Sequence, residues 1–214
     1  MKNEGREDTV LVYSLKDRWP GVPDAFGATR GQQHIAPLLS ELHGAPSGEI
    51  VIYDFEGIEH TTASYINATV FRLLRASGRA IEEASVSVTS GGADSGEALD
   101  IFLLVANLSE DVAEELQTVL KSHNAVCLEA TKWDGNGIAQ ARVRGVLDGV
   151  LRDTLVRVVT NRNATATMLA EREPPNVTGW NNRLMELYRR RLVTRIKEGR
   201  QYIYSSLCSE VILG

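Results

Sequence analysis

The feature that most restricts the fold of this chain is a change of period after Leu192. From Val177 to Leu192 the apolar residues fall at Trp180, Leu184, Leu187 and Tyr188, the spacing of a helix that buries one stripe. From Val193 the period becomes two. Val193, Arg195 and Lys197 alternate with Thr194 and Ile196, Lys197–Arg200 makes a charged turn, and Gln201–Ser205 returns as a strand carrying Tyr202, Ile203 and Tyr204.

A helix that ends at Leu-Val and runs straight into a charged hairpin resembles the recognition helix and wing of a winged helix-turn-helix DNA-binding domain. The resemblance is carried by Leu184, Leu187, the Leu192-Val193 pair and the return strand from Gly199-Arg200 to Tyr204. In that family a glycine usually precedes the Leu-Val pair, where the helix ends in a left-handed residue; here Arg191 stands there. Upstream, Val146–Val159 shows helical spacing at Val146, Leu147, Val150, Leu151, Leu155 and Val158, which suits the first helix of such a domain and a dimer contact. Asn163 is positioned to cap a shorter helix through Met168 and Leu169 that Pro174-Pro175 must end, after which Asn176 or Thr178 caps the recognition helix. The competing interpretation is an ordinary amphipathic helix and hairpin of some other domain.

The first half of the chain has a different plan. Thr9–Leu15 reads as a strand, 17–23 as a loop, and Ile35, Leu38, Leu39 and Leu42 as a helix with Pro37 in its first turns. Glu49–Phe55 is a continuous apolar run suited to a central buried strand, and Thr61–Ala76 is helical, capped by Thr61 or Thr62 and closed by Gly78. Asp100–Val105, Ser109–Lys121 and Ala125–Glu129 repeat strand, helix, strand. The stretch Glu49–Leu74, with its Asp54-Phe55-Glu56-Gly57-Ile58 turn and Ser64-Tyr65 step, resembles the STAS-like relatives of anti-sigma factor antagonists. In signalling members a serine at the start of this helix accepts a phosphoryl group from a kinase-type ATPase partner; Ala63 stands near that place here, leaving Thr62 or Ser64 to serve, with Asp54 beside them.

The expected architecture is therefore α/β: a STAS-like α/β sandwich over residues 9–135 and a mostly α winged helix over 145–210. Charge follows the same division. Residues 140–214 hold 13 Lys+Arg against 7 Asp+Glu, whereas residues 1–139 hold 10 against 21, so only the second part suits a polyanion. Asn181, Asn182 and Arg183, in the early turns of the helix, are assigned to base reading, and Thr178, Arg195, Lys197 and Arg200 to phosphate contact. Arg189–Arg191 are a solvated face or an extension of the same surface.

Other chemistries find little support. The four histidines are scattered without metal-ligand spacing, and no GxSxG or Walker motif occurs, so neither an enzyme nor a cofactor is expected. The Gly- and Ser-rich stretch 89–97 lacks phosphate-loop spacing and reads as a loop. Cys127 and Cys208 read as idle thiols without a disulfide or metal. The longest apolar run, Ile101–Ala106, has six residues, far short of a membrane span, and the charged N-terminus is no signal peptide, which makes a cytoplasmic location the expectation. The function expected is a homodimeric transcriptional regulator that binds double-stranded DNA. The rival is a protein-interaction adaptor in a partner-switching or defence module, without DNA binding.

Overall fold

The structure, a computed structural model, describes residues 10–43, 46–85, 99–134 and 137–213. Its class is α/β. The chain opens with β1 (Val10–Ser14), a short α1 (Leu15–Arg18), β2 (Asp24–Ala25) and α2 (Ala28–Leu42). Then come β3 (Glu49–Asp54), β4 (His60–Thr61) and one long helical run made of α3 (Ala63–Ile66), a π-helical segment (Asn67–Phe71) and α4 (Arg72–Ser85). Next are β5 (Ile101–Ala106), α5 (Glu110–Ser122) and the hairpin of β6 (Val126–Asp134) and β7 (Gly137–Gly145). The main sheet takes the order β1-β3-β5-β6-β7, with the first four strands parallel because helical crossovers join them, and β7 antiparallel to β6 because a hairpin does.

The remaining residues form α6 (Gly149–Asn161), β8 (Asn163–Ala164), α7 (Ala166–Ala170), α8 (Val177–Arg189), and a hairpin of β9 (Val193–Glu198) and β10 (Gln201–Ser206) that β8 joins as a third strand. The chain then returns: β11 (Cys208–Ile212) pairs in parallel with β7 and becomes the sixth strand of the main sheet. Gln140 Nε2 donates to Glu210 Oε2 at 2.8 Å across this last pairing.

Strand burial explains the rest of the arrangement. Val51, Tyr53, Leu103 and Val105 cluster with Leu38 of α2, Ile66 and Leu73 of the long helix and Leu116 of α5. The alternate residues, Ile50, Ile52, Phe102, Leu104, Val126 and Leu128, point the other way and cluster with Leu151, Leu155, Trp180, Leu184, Leu187, Leu192 and Tyr204. All three crossover helices therefore cover one face, and the C-terminal unit covers the other. A continuous run such as Glu49–Phe55 is buried on both sides for this reason.

Several local expectations are corrected. Helix α2 starts at Ala28, so Pro37 lies well inside it; the carbonyl that the missing amide leaves free belongs to Gln33, which is exposed and can be hydrated. Gly31 lets α2 approach the long helix, since a Cβ there would stand 2.9 Å from that of Ala68. Gly78 does not close its helix, which continues through good helix formers to Ser85. Leu15–Arg18, expected as strand end and loop, is a turn of helix capped by Ser14. Asn163 belongs to β8, where its side chain accepts from the Ser205 hydroxyl at 2.7 Å, and Thr165 caps α7 instead. The stretch 89–97, expected as a loop, lies outside the described residues, as do residues 135 and 136. Both cysteines are free and buried. Among the described residues no helix is long and apolar enough to cross a membrane.

Candidate nucleic-acid interface

Helix α8 is fixed at both ends. Asn176 Oδ1 accepts from Gly179 N at 3.0 Å, and Gly179 packs so close to Pro175 that a Cβ would meet the proline ring at 2.7 Å. Trp180 is buried, and its indole N–H donates to the Glu173 carbonyl at 3.0 Å. At the other end Leu192 N reaches back to Leu187 O and Arg191 N to Tyr188 O, the paired bonds of a Schellman turn. That turn needs a left-handed residue, and Arg191 supplies it at φ 58°.

The Arg191 side chain explains why a glycine is not required there. It is 4% exposed, and it spans from the C-terminal unit to the sheet. Its Nε donates to the Ser77 carbonyl at 3.0 Å, its Nη1 lies 2.8 Å from Asp100 Oδ1, and its guanidinium sits 5.0 Å over the Phe102 ring. The contact with Asp100 is off the hydrogen-bond direction, so both terminal nitrogens are buried without a hydrogen-bonded partner. Asp100 in turn accepts from the Ser47 hydroxyl.

At roughly 100° per residue, Thr178, Asn181, Asn182, Met185 and Arg189 share one face of α8. Thr178, Asn181, Asn182 and Arg189 are exposed there, opposite the buried stripe. Arg183 does not share that face. It is half-buried beside the stripe, with its guanidinium 5.1 Å over the Trp180 ring, so it flanks the face that the two asparagines occupy. Arg189, expected as a solvated face or an extension of the same surface, lies on this face, three and seven residues separating Met185 and Arg189 from Asn182; that i, i+3, i+7 relation was readable in the sequence.

The β9–β10 hairpin turns at Gly199-Arg200, with Gly199 at φ 59°. Arg195 lies with its guanidinium 4.3 Å from the Tyr188 ring and 4.4 Å from the Tyr202 ring, and its Nη1 is 3.2 Å from Met185 Sδ. It therefore braces the hairpin against α8 and has less freedom to reach a ligand than was expected of it. Tyr204 beneath it is buried, and burial raises its hydroxyl pKa. Lys197 and Arg200 are exposed and, like Arg189, make no ion pair among the described residues. Of the two nearby acids, Glu186 is held by Arg190 at 2.8 Å, and Glu198 is at the hairpin tip.

The second candidate region lies at the carboxyl ends of the parallel strands. Asp54 is buried and accepts from Glu56 N at 2.9 Å and from Asn107 Nδ2 at 2.8 Å, which accounts for its carboxylate within the turn. Thr62 caps α3 and accepts from Gly27 N at 3.0 Å, so its hydroxyl is engaged, whereas Ser64 is exposed. Nearby, His60 pairs with Asp111 and its pKa is raised by that hydrogen bond. Among the described residues no cluster of His, Cys, Asp and Glu could hold a metal.

No protein-family model, curated protein or solved structure matches this chain.

Proposed function

We propose that the chain is a DNA-binding transcriptional regulator: a C-terminal winged helix reads duplex DNA, and a STAS-like layer receives a signal or a protein partner. The observation that carries this reading is the exposed face of α8, where Thr178, Asn181 and Asn182 stand at the N-terminal end and Arg189 at the other, beside a hairpin whose tip bears Lys197 and Arg200, which make no ion pair among the described residues. The order of α6, β8, α7, α8 and the β9–β10 hairpin supports the winged-helix assignment. Amide side chains at an open helix face suit adenine edges, and free cations beside them suit phosphates. Arg195 is then a brace for the wing, and Arg183, stacked on Trp180 beside the open face, contacts a flanking phosphate. A cytoplasmic homodimer is the form in which two such helices would read half-sites one helical turn apart.

One observation favours the adaptor reading. Ile196 is 60% exposed on the side of the hairpin opposite Lys197, an apolar surface suited to a protein partner. Fluorescence anisotropy of the full chain against its own upstream promoter fragment and a scrambled duplex, across a salt series, separates the two. Nanomolar affinity with a clear gap over the scramble is the result expected for the regulator. Weak binding of equal strength to both duplexes would leave the adaptor.

A further inference from the structure

A cavity of about 800 Å³ opens between the long helix, the end of α5 and the last turn of α8. Its size is that of small-ligand sites in general. Its charge is one-sided. Among the described residues, Arg75, Arg189, Arg190 and Arg191 line it with His123, against one lining carboxylate, Glu186, that Arg190 already holds; Arg191 is paired with Asp100 outside the lining. Arg75 and Arg189 are exposed and make no ion pair among the described residues, and the terminal nitrogens of Arg191, buried in the wall, have no hydrogen-bonded partner. Complementing the negative end of the α8 dipole accounts for Arg189 and Arg190. It does not account for Arg75, which lies in the interior of the helical run 63–85 and faces the same space. Apolar surface completes the wall: Leu74, and Phe71 stacked on the His123 ring at 3.9 Å with planes 14° apart.

We propose that this cavity binds a small organic phosphate, its anionic group held by Arg75, Arg189 and Arg190 and its body lying against Leu74 and the Phe71–His123 pair. Guanidinium groups match phosphate oxygens bidentately, and Arg75 and Arg189, which make no ion pair among the described residues, gain from an anion that enters the space they share. The proposal does not depend on DNA binding.

The test is isothermal titration calorimetry of the full chain at low salt with two probes, AMP and inorganic phosphate. Saturable one-to-one binding of both is expected, with AMP at least tenfold tighter because of the apolar wall. The double variant Arg75→Gln/Arg189→Gln should weaken AMP at least tenfold, the effect of about 1.4 kcal/mol in lost charge-assisted hydrogen bonding. Lys132→Gln/Arg162→Gln, which removes the same charge elsewhere, should change it less than twofold, and both variants should keep the parent melting temperature. Absence of saturable heat with both probes overturns the proposal. So does AMP affinity that survives Arg75→Gln/Arg189→Gln, or a variant that loses duplex DNA affinity while keeping AMP, which would make these arginines part of a DNA contact.

Discussion

Arg191 gives the sharpest test of how the two halves are joined, because three substitutions separate its backbone role from its charge. Asp100→Asn leaves a guanidinium whose side chain is 3% exposed facing a neutral amide. Breaking a fully buried pair costs roughly 3–5 kcal/mol, but Asp100 is 42% exposed, so water already shields that side and the cost should fall to about 2 kcal/mol. Arg191→Ala loses the bond to the Ser77 carbonyl and the packing on Phe102, and it frees Asp100 to be hydrated; we expect about 2–3 kcal/mol. It also keeps a side chain at φ 58°. Arg191→Gly makes the same losses but removes the left-handed strain, so it should be more stable than Arg191→Ala by about 1 kcal/mol.

Urea unfolding followed by tryptophan fluorescence, with a shared m-value, measures all three. For a chain of this size each kcal/mol moves the melting temperature by roughly 2–4 °C, so Asp100→Asn should lower it by about 4–8 °C. If Arg191→Gly is no more stable than Arg191→Ala, the left-handed helix end is wrong. An Asp100→Asn variant within about 0.3 kcal/mol of the parent would refute the ion pair across the two halves.

Replacing Asn181 and Asn182 together by alanine should erase the preference for operator over scrambled DNA while leaving salt-dependent binding, as anisotropy would show; an unchanged preference would reassign base reading. Lys197→Gln and Arg200→Gln should each weaken both duplexes alike and flatten the salt slope by about one phosphate. Burial lowers the pKa of His34, which stacks on Trp19 at 3.9 Å and shares a hydrogen bond with the Tyr65 hydroxyl. The unfolded chain therefore binds that proton more readily, so His34's contribution to stability is complete above about pH 6.5 and is lost as pH falls below it; His34→Gln should flatten the stability profile below about pH 6.5. Burial pushes the Cys127 thiol up to about 12, so a thiol reagent at pH 8 should label Cys127 only after denaturation.

The parts of the fold legible in the sequence are those whose signal is local. Helix α8 has its period, cap and following turn within 25 residues, and the run from Glu49 to Phe55 announces a buried strand by composition. Long-range consequences were not legible. Cys208–Ile212 is too short and too mixed to read as anything but a tail, and it becomes a strand only because β7, some 70 residues earlier, offers it an edge. Arg191 looked like a departure from a glycine position, and the reason for it lies on Asp100 and Ser77, in elements that sequence spacing does not bring near. In the candidate interface the asparagines could be placed from helical phase, but the bracing of Arg195 depends on Tyr188 and Tyr202 from two other elements.

The shared core also limits how any signal could reach α8. Ile50, Ile52, Phe102, Leu104, Val126 and Leu128 are buried in one cluster with the C-terminal unit. Exposing such side chains costs roughly 1.5–3 kcal/mol each, so lifting the C-terminal unit off the sheet would cost on the order of 10 kcal/mol before α8 itself lost anything. That is comparable to the whole stability of a typical domain, and a ligand shifts an equilibrium only by its differential affinity for the two states, commonly 1–3 kcal/mol. Under the proposed function, regulation by release of the C-terminal unit is therefore too costly. Under the same proposed function, a signal received by the sheet layer would act with the two halves still docked, either by changing how two copies of the chain stand relative to each other or by small displacements at the junction that Arg191 spans. Small-angle scattering of the chain with and without its input tests this directly: a change in the distance between protomers fits, whereas an extended, undocked monomer would mean that the shared core is far weaker than its composition implies.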